Sequence, residues 1–185
     1  MNAKKLSFLL LILVAVACTN RSTSSEQDEM RHWNNVLQQI NALLLENKAR
    51  QTLDLAKQTL PEILESAEKN GTTDTLIYYA RKIFNACGNN YINTKQYKDG
   101  IDYMDSIGNH PLIREHCPHE LLSFKAGLNQ LYGNNPEAVR LAEDYLQLPV
   151  CTSANDFIRQ AEIISGVYMY SGNNLPKAIQ ILEKA

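Results

Sequence analysis

Four side chains that handle protons or metals crowd into ten residues: His110, His116, Cys117 and His119. Imidazole and thiolate ligate zinc or copper at neutral pH, so chemistry is sought here first. The spacing matches no closed metal site, and His116 and His119 flank Pro118 at an expected helix start, so these residues read as loop and capping groups. Other reactive patterns are missing from the sequence. It has no glycine-rich phosphate loop, no Gly-x-Ser-x-Gly elbow and no His-Glu-x-x-His zinc helix. Glu143 and Asp144 are adjacent, and adjacent side chains diverge on a helix, so they read as a solvated face. Tyr78, Tyr79, Tyr168 and Tyr170 can line a groove for peptide or glycan, although tyrosines at helical spacing more often pack. Cys87 beside Gly88 reads as a small buried hydrophobe. The expectation is a protein without catalytic residues, metal or cofactor.

The elements that carry these residues begin after a leader. Lys4 and Lys5 precede a mostly apolar run over residues 6–17, shorter than the roughly 20 residues a spanning helix needs. Residues 1–17 are therefore read as a signal peptide. The stretch Val14, Ala15, Val16, Ala17, Cys18 resembles a lipoprotein cleavage site, with Ala15 where leucine is commoner. The resemblance implies lipidation of Cys18 and a lipid-anchored protein of the bacterial cell envelope, facing periplasm or cell surface. An ordinary cleaved signal and an uncleaved anchor are the alternatives. Residues 18–29 are polar and Ser/Thr-rich, as a flexible tether would be. Without the leader the chain has 16 basic and 20 acidic residues, a net charge of −4 with no basic patch for nucleic acid. Three remaining cysteines are too few for a disulfide scaffold.

From Met30 onward apolar residues recur at three- and four-residue steps without strand-like alternation, which predicts an all-α fold. Trp33, Val36, Leu37, Ile40, Leu43 and Leu44 form one stripe. Leu53, Leu55, Ala56, Leu60, Ile63, Leu64 and Ala67 form the next, with Pro61 expected to kink or break it. Residues 30–71 thus make a degenerate leading helix pair, joined near Asn47 and closed at Gly71 by a left-handed glycine.

Beyond it the punctuation repeats. With Gly88, Ala126 and Gly166 in register, 38 and 40 residues apart, small or apolar residues return at offsets of 12, 16 and 19: Gly100, Met104 and Ile107; Ala138, Ala142 and Tyr145; Ala178, Leu182 and Ala185. These residues, with Phe84, Tyr91, Tyr97, Leu122 and Gly133, resemble the tetratricopeptide repeat family. The resemblance implies a right-handed solenoid of helical hairpins, with three pairs over residues 72–185 and Gly88, Gly100, Ala126, Ala138, Gly166 and Ala178 as the packing positions. Glu162 and Asn129 stand where the family favours apolar side chains, and the spacing exceeds its usual 34. Cys117 and Cys151 each precede the first helix of neighbouring units and form a candidate disulfide, which requires Cα atoms within about 7 Å. Ala185 falls inside an expected second helix, so the chain reads as the N-terminal part of a longer protein.

One helix pair buries too little to offset its conformational entropy, whereas stacked pairs share a core and leave an extended groove lined by first helices. The expected function is non-catalytic binding of a protein or peptide at the envelope. A lipoprotein-like leader followed by divergent repeats resembles the sensor region of envelope regulators, whose kinase or helix-turn-helix output would lie beyond residue 185. The alternative is a glycan- or nutrient-binding outer-membrane lipoprotein, which would need aromatic-rich insertions that this sequence lacks.

Overall fold

Helix-period stripes produce helices throughout: in the computed structural model, which describes residues 27–149 and 154–183, the fold is all-α and no strand occurs among the described residues. The expected leader, the Cys18 lipidation site, Cys151 and Ala185 lie outside the described residues. Helix α1 spans residues 27–45. The last three residues assigned to the tether, 27–29, are thus helical. Asp28 and Glu29 suit the positive end of a helix, and Asp28 pairs with Arg31 at 3.3 Å. The chain divides into two compact units, Met1–Gln39 and Ile40–Ala185. The second holds α2 (Ala49–Asn70), α3 (Asp74–Asn93), α4 (Tyr97–Ile107), α5 (Pro111–His116), α6 (Pro118–Tyr132), α7 (Asn135–Leu146), α8 (Ala154–Tyr170) and α9 (Leu175–Glu183).

Helix α2 runs through Pro61 without a break. Proline forfeits one hydrogen bond, while the buried face of Leu53, Ala56, Leu60, Ile63, Leu64 and Ala67 continues on both sides of it. Thr52 and Thr59 lie on that face too, their hydroxyls donating to the carbonyls of Lys48 and Leu55. In α1 the stripe is narrower than expected: Trp33, Val36 and Ile40 are buried, but Leu44 is exposed. Gly71 ends α2 with φ 85° and ψ 159°. That is not the expected left-handed helical closure, although it is still a conformation that essentially only glycine adopts.

Within Ile40–Ala185, α3 packs more extensively against α2 than against α4, α6 pairs with α7 and α8 with α9, and α6 also packs against α3, α4 and α8. The α3–α4, α6–α7 and α8–α9 turns each pass through one residue with positive φ: Lys95, Gly133 and Asn173. The turns differ in length, spanning residues 94–96, 133–134 and 171–174. Short helix α5 fills the connection between α4 and α6.

Small residues set the closest approaches. A Cβ added to Gly88 would lie 2.4 to 2.6 Å from the Phe124 ring of α6. In the next pair the corresponding glycine is Gly127, beside Ala126: its added Cβ would meet Ile163 Cγ2 of α8 at 2.8 Å. Gly88, Gly127 and Gly166 are evenly spaced at 39 residues. The 38- and 40-residue steps survive only in the second helices, because the turn at Gly133 is one residue shorter than that at Lys95. Ala126, Ala138 and Ala178 are buried in one cluster with Leu141, Ile164 and Val167, and a Cβ added to Gly100 would lie 3.0 Å from Tyr91 and 3.1 Å from Leu128. Asn129 is buried, donating to the Lys125 carbonyl and accepting from Asn134, whereas Glu162 is exposed.

Candidate functional site

The histidine-cysteine cluster is spread along the α5 connection rather than converging. His110 precedes α5: its Nδ1 accepts the Leu112 N–H at 3.2 Å, and its Nε2 lies 3.1 Å from Glu68 of α2. The pair borders a shallow depression with Pro61, Leu64, Glu65 and Ile107. The His116 carbonyl accepts from Arg81 of α3. His119 Nε2 contacts the Pro149 carbonyl at 2.6 Å, and its ring meets Tyr145 edge-on at 5.7 Å. Cys117, between α5 and α6, is fully buried. Among the described residues no group of three His, Cys, Asp or Glu side chains is arranged to hold a metal.

Charged and phenolic groups between helices mainly fasten them. Glu120, 2% exposed, meets Arg81 Nε at 3.1 Å and ties α6 to α3. Such a pair repays its desolvation only with added hydrogen bonds, and Arg81 has one on the His116 carbonyl. Lys57 of α2 lies 5.5 and 5.8 Å from the ring centres of Tyr91 and Tyr103. Cys87 Sγ donates to the Tyr103 hydroxyl at 3.9 Å. Burial pushes the thiol up to about 12 and raises both phenols above their ordinary range. Glu143 of α7 bonds Lys177 of α9 at 2.6 Å, while Lys177 also sits 4.4 Å over the buried Tyr168 ring. The Lys177 hydrogen bond holds the Glu143 carboxyl below its usual range.

Of the four singled-out tyrosines, Tyr168 is core, Tyr79 is half-buried, and Tyr78 and Tyr170 are 51% and 71% exposed. Tyr78 meets Tyr79 edge-on with Lys82 nearby. They do not converge on one groove.

A different surface does combine aromatic and charged groups. At the α3–α4 turn an open depression of about 430 Å³ is lined by Lys95, Gln96, Tyr97, Lys98, Asp99 and Tyr132. Lys95 is exposed and adopts a left-handed backbone, φ 59°. Tyr132 reaches in from the end of α6 and is 54% exposed. Lys98 bonds Asp102, which raises its pKa and keeps it charged. Sequence reasoning missed this site because Tyr132 lies 35 residues from Tyr97; only the lysines of the turn were a visible signal. The Lys95 cation and two phenol faces can hold an anionic or aromatic segment of a ligand, while Lys98 is already paired with Asp102. No family model, no curated protein and no solved structure matches this chain.

Proposed function

We propose that the chain is a non-catalytic scaffold of tetratricopeptide-like helix pairs, a right-handed solenoid held at the bacterial envelope by a lipid on Cys18, that binds a protein or peptide ligand. The observation that carries the reading is the even recurrence of Gly88, Gly127 and Gly166 in the first helices of successive pairs, the first two each received by a side chain of the next pair. Stacked pairs present broad ligand surfaces at little cost in order. The depression around Tyr97 and Tyr132 is a candidate ligand site on that surface. Such a module suits the sensing side of an envelope signalling protein.

A photocrosslinking residue at Tyr132 should give a discrete protein adduct in cells, absent when the same residue replaces exposed Asp54 on α2. Equal adducts at both positions would defeat the peptide-binding reading. Glycan-array binding without a protein adduct would favour the nutrient-binding alternative. Delivery has its own test: Cys18→Ser should abolish incorporation of an alkyne fatty acid and release the protein from the membrane fraction.

A further inference from the structure

Three turns from a first to a second helix share a backbone feature and differ in the residue that adopts it: positive φ falls on Lys95, on Gly133 and on Asn173. Glycine has no Cβ to clash there and asparagine tolerates the region, whereas lysine is strained in it. The strained residue stands at the turn that forms the Tyr97–Tyr132 depression, and it lines that depression. Backbone strain of this kind gathers where a side chain must be presented to a ligand.

Lys95 presents a charge. Among the described residues no ion pair joins its ammonium group, while neighbouring Lys98 is tied to Asp102. The acidic group of the lining, Asp99, lies in the first turn of α4, where the helix dipole favours a negative charge. Tyr97 is half-buried and Tyr132 is exposed, so both rings offer apolar area beside the cation. A basic segment on those rings would meet Lys95 with its charge unopposed. A carboxylate would neutralise it.

We infer that the depression selects an acidic peptide segment, with a carboxylate on Lys95 and an adjacent aromatic or apolar side chain on the rings of Tyr97 and Tyr132. The inference rests on the peptide-binding reading above and adds the chemistry of the ligand. The carboxylate belongs to an Asp or Glu side chain or to a chain end, and either source pairs with an ammonium group in the same way.

The test probes an array of short random-sequence peptides with the labelled full chain, once with the peptides tethered by their C-termini and once by their N-termini. Bound peptides are expected to be enriched in carboxylates beside Phe, Tyr, Trp or Leu. Their dissociation constants, remeasured in solution, should rise about tenfold for Lys95→Gly and for Tyr132→Ala. Lys95→Gly should also raise the melting temperature, so weaker binding in a more stable chain is no folding defect. Enrichment in both orientations supports a side-chain carboxylate, and enrichment only at free C-termini supports a chain end. Bound peptides without acidic enrichment, or with affinities that Lys95→Gly leaves unchanged, overturn this inference and leave the peptide-binding reading standing. An array that captures nothing defeats both.

Discussion

At pH 7 the Cys87 thiol is protonated and sealed from solvent, since burial pushes its ionisation up to about 12. A maleimide probe is expected to leave Cys87 unmodified in the native chain and to label it in denaturant; fast native labelling would contradict the packing around Tyr103. The same shift predicts alkaline instability. The folded-state pKa is raised above the unfolded value near 9, so this stabilisation is complete below pH 9. It is lost progressively as pH rises from 9 toward 12. Urea midpoints across that range should fall for the wild type and fall less for Cys87→Ala, in which Tyr91 and Tyr103, raised from 10, still add loss above pH 10. Lys95 offers a second residue-level prediction. A lysine at φ 59° carries a cost that glycine avoids, so Lys95→Gly should stabilise the fold by about 1 kcal/mol while removing a cation from the depression. At this scale the sequence was partly readable. His116 and His119 flank a helix start as Pro118 implies, but the approach of His110 to Glu68, 42 residues away, is a tertiary contact that no local pattern encodes.

The helices depend on how closely their backbones meet, and the three first-helix glycines should respond to alanine in a graded way. Gly88→Ala forces a methyl group against the Phe124 ring and should cost about 1 to 3 kcal/mol. Gly127→Ala meets one methyl group of Ile163 and should cost less. Gly166→Ala meets only Gln130 Oε1, at an ordinary contact distance of 3.9 Å, and should gain up to about 1 kcal/mol from helix propensity. Chemical denaturation of the three variants checks the order; equal effects would contradict the close approaches at Gly88 and Gly127. Helix existence was legible because the apolar stripes of α2 and α9 are regular. The buried Thr52, Thr59 and Asn90 were not, because each donates to a carbonyl four residues back. Such side chains look polar in sequence and behave as core. Leu44 erred the other way, lying in the last turn of α1 where the stripe runs out into solvent.

Across the unit Ile40–Ala185, order should decline toward α9, whose buried residues are Ala178 and Ile181, while α3 and α6 are covered on several sides. Hydrogen exchange is expected to show amides of α3 and α6 protected at least about tenfold more than those of α9; uniform protection would mean a single indivisible core. The all-α class and the succession of pairs could be read from punctuation, since glycine, asparagine and proline mark the turns. The even 39-residue interval could not, because one short turn shifts the second helices and hides it. Those unequal turns also bear on how the chain tolerates insertions. First helices keep step while turns of three, two and four residues absorb the difference, so a residue added after Gly133 should leave the packing intact. The same residue added within α6 would rotate every later side chain on that helix by about 100° and carry Phe124 or Gly127 away from its neighbour.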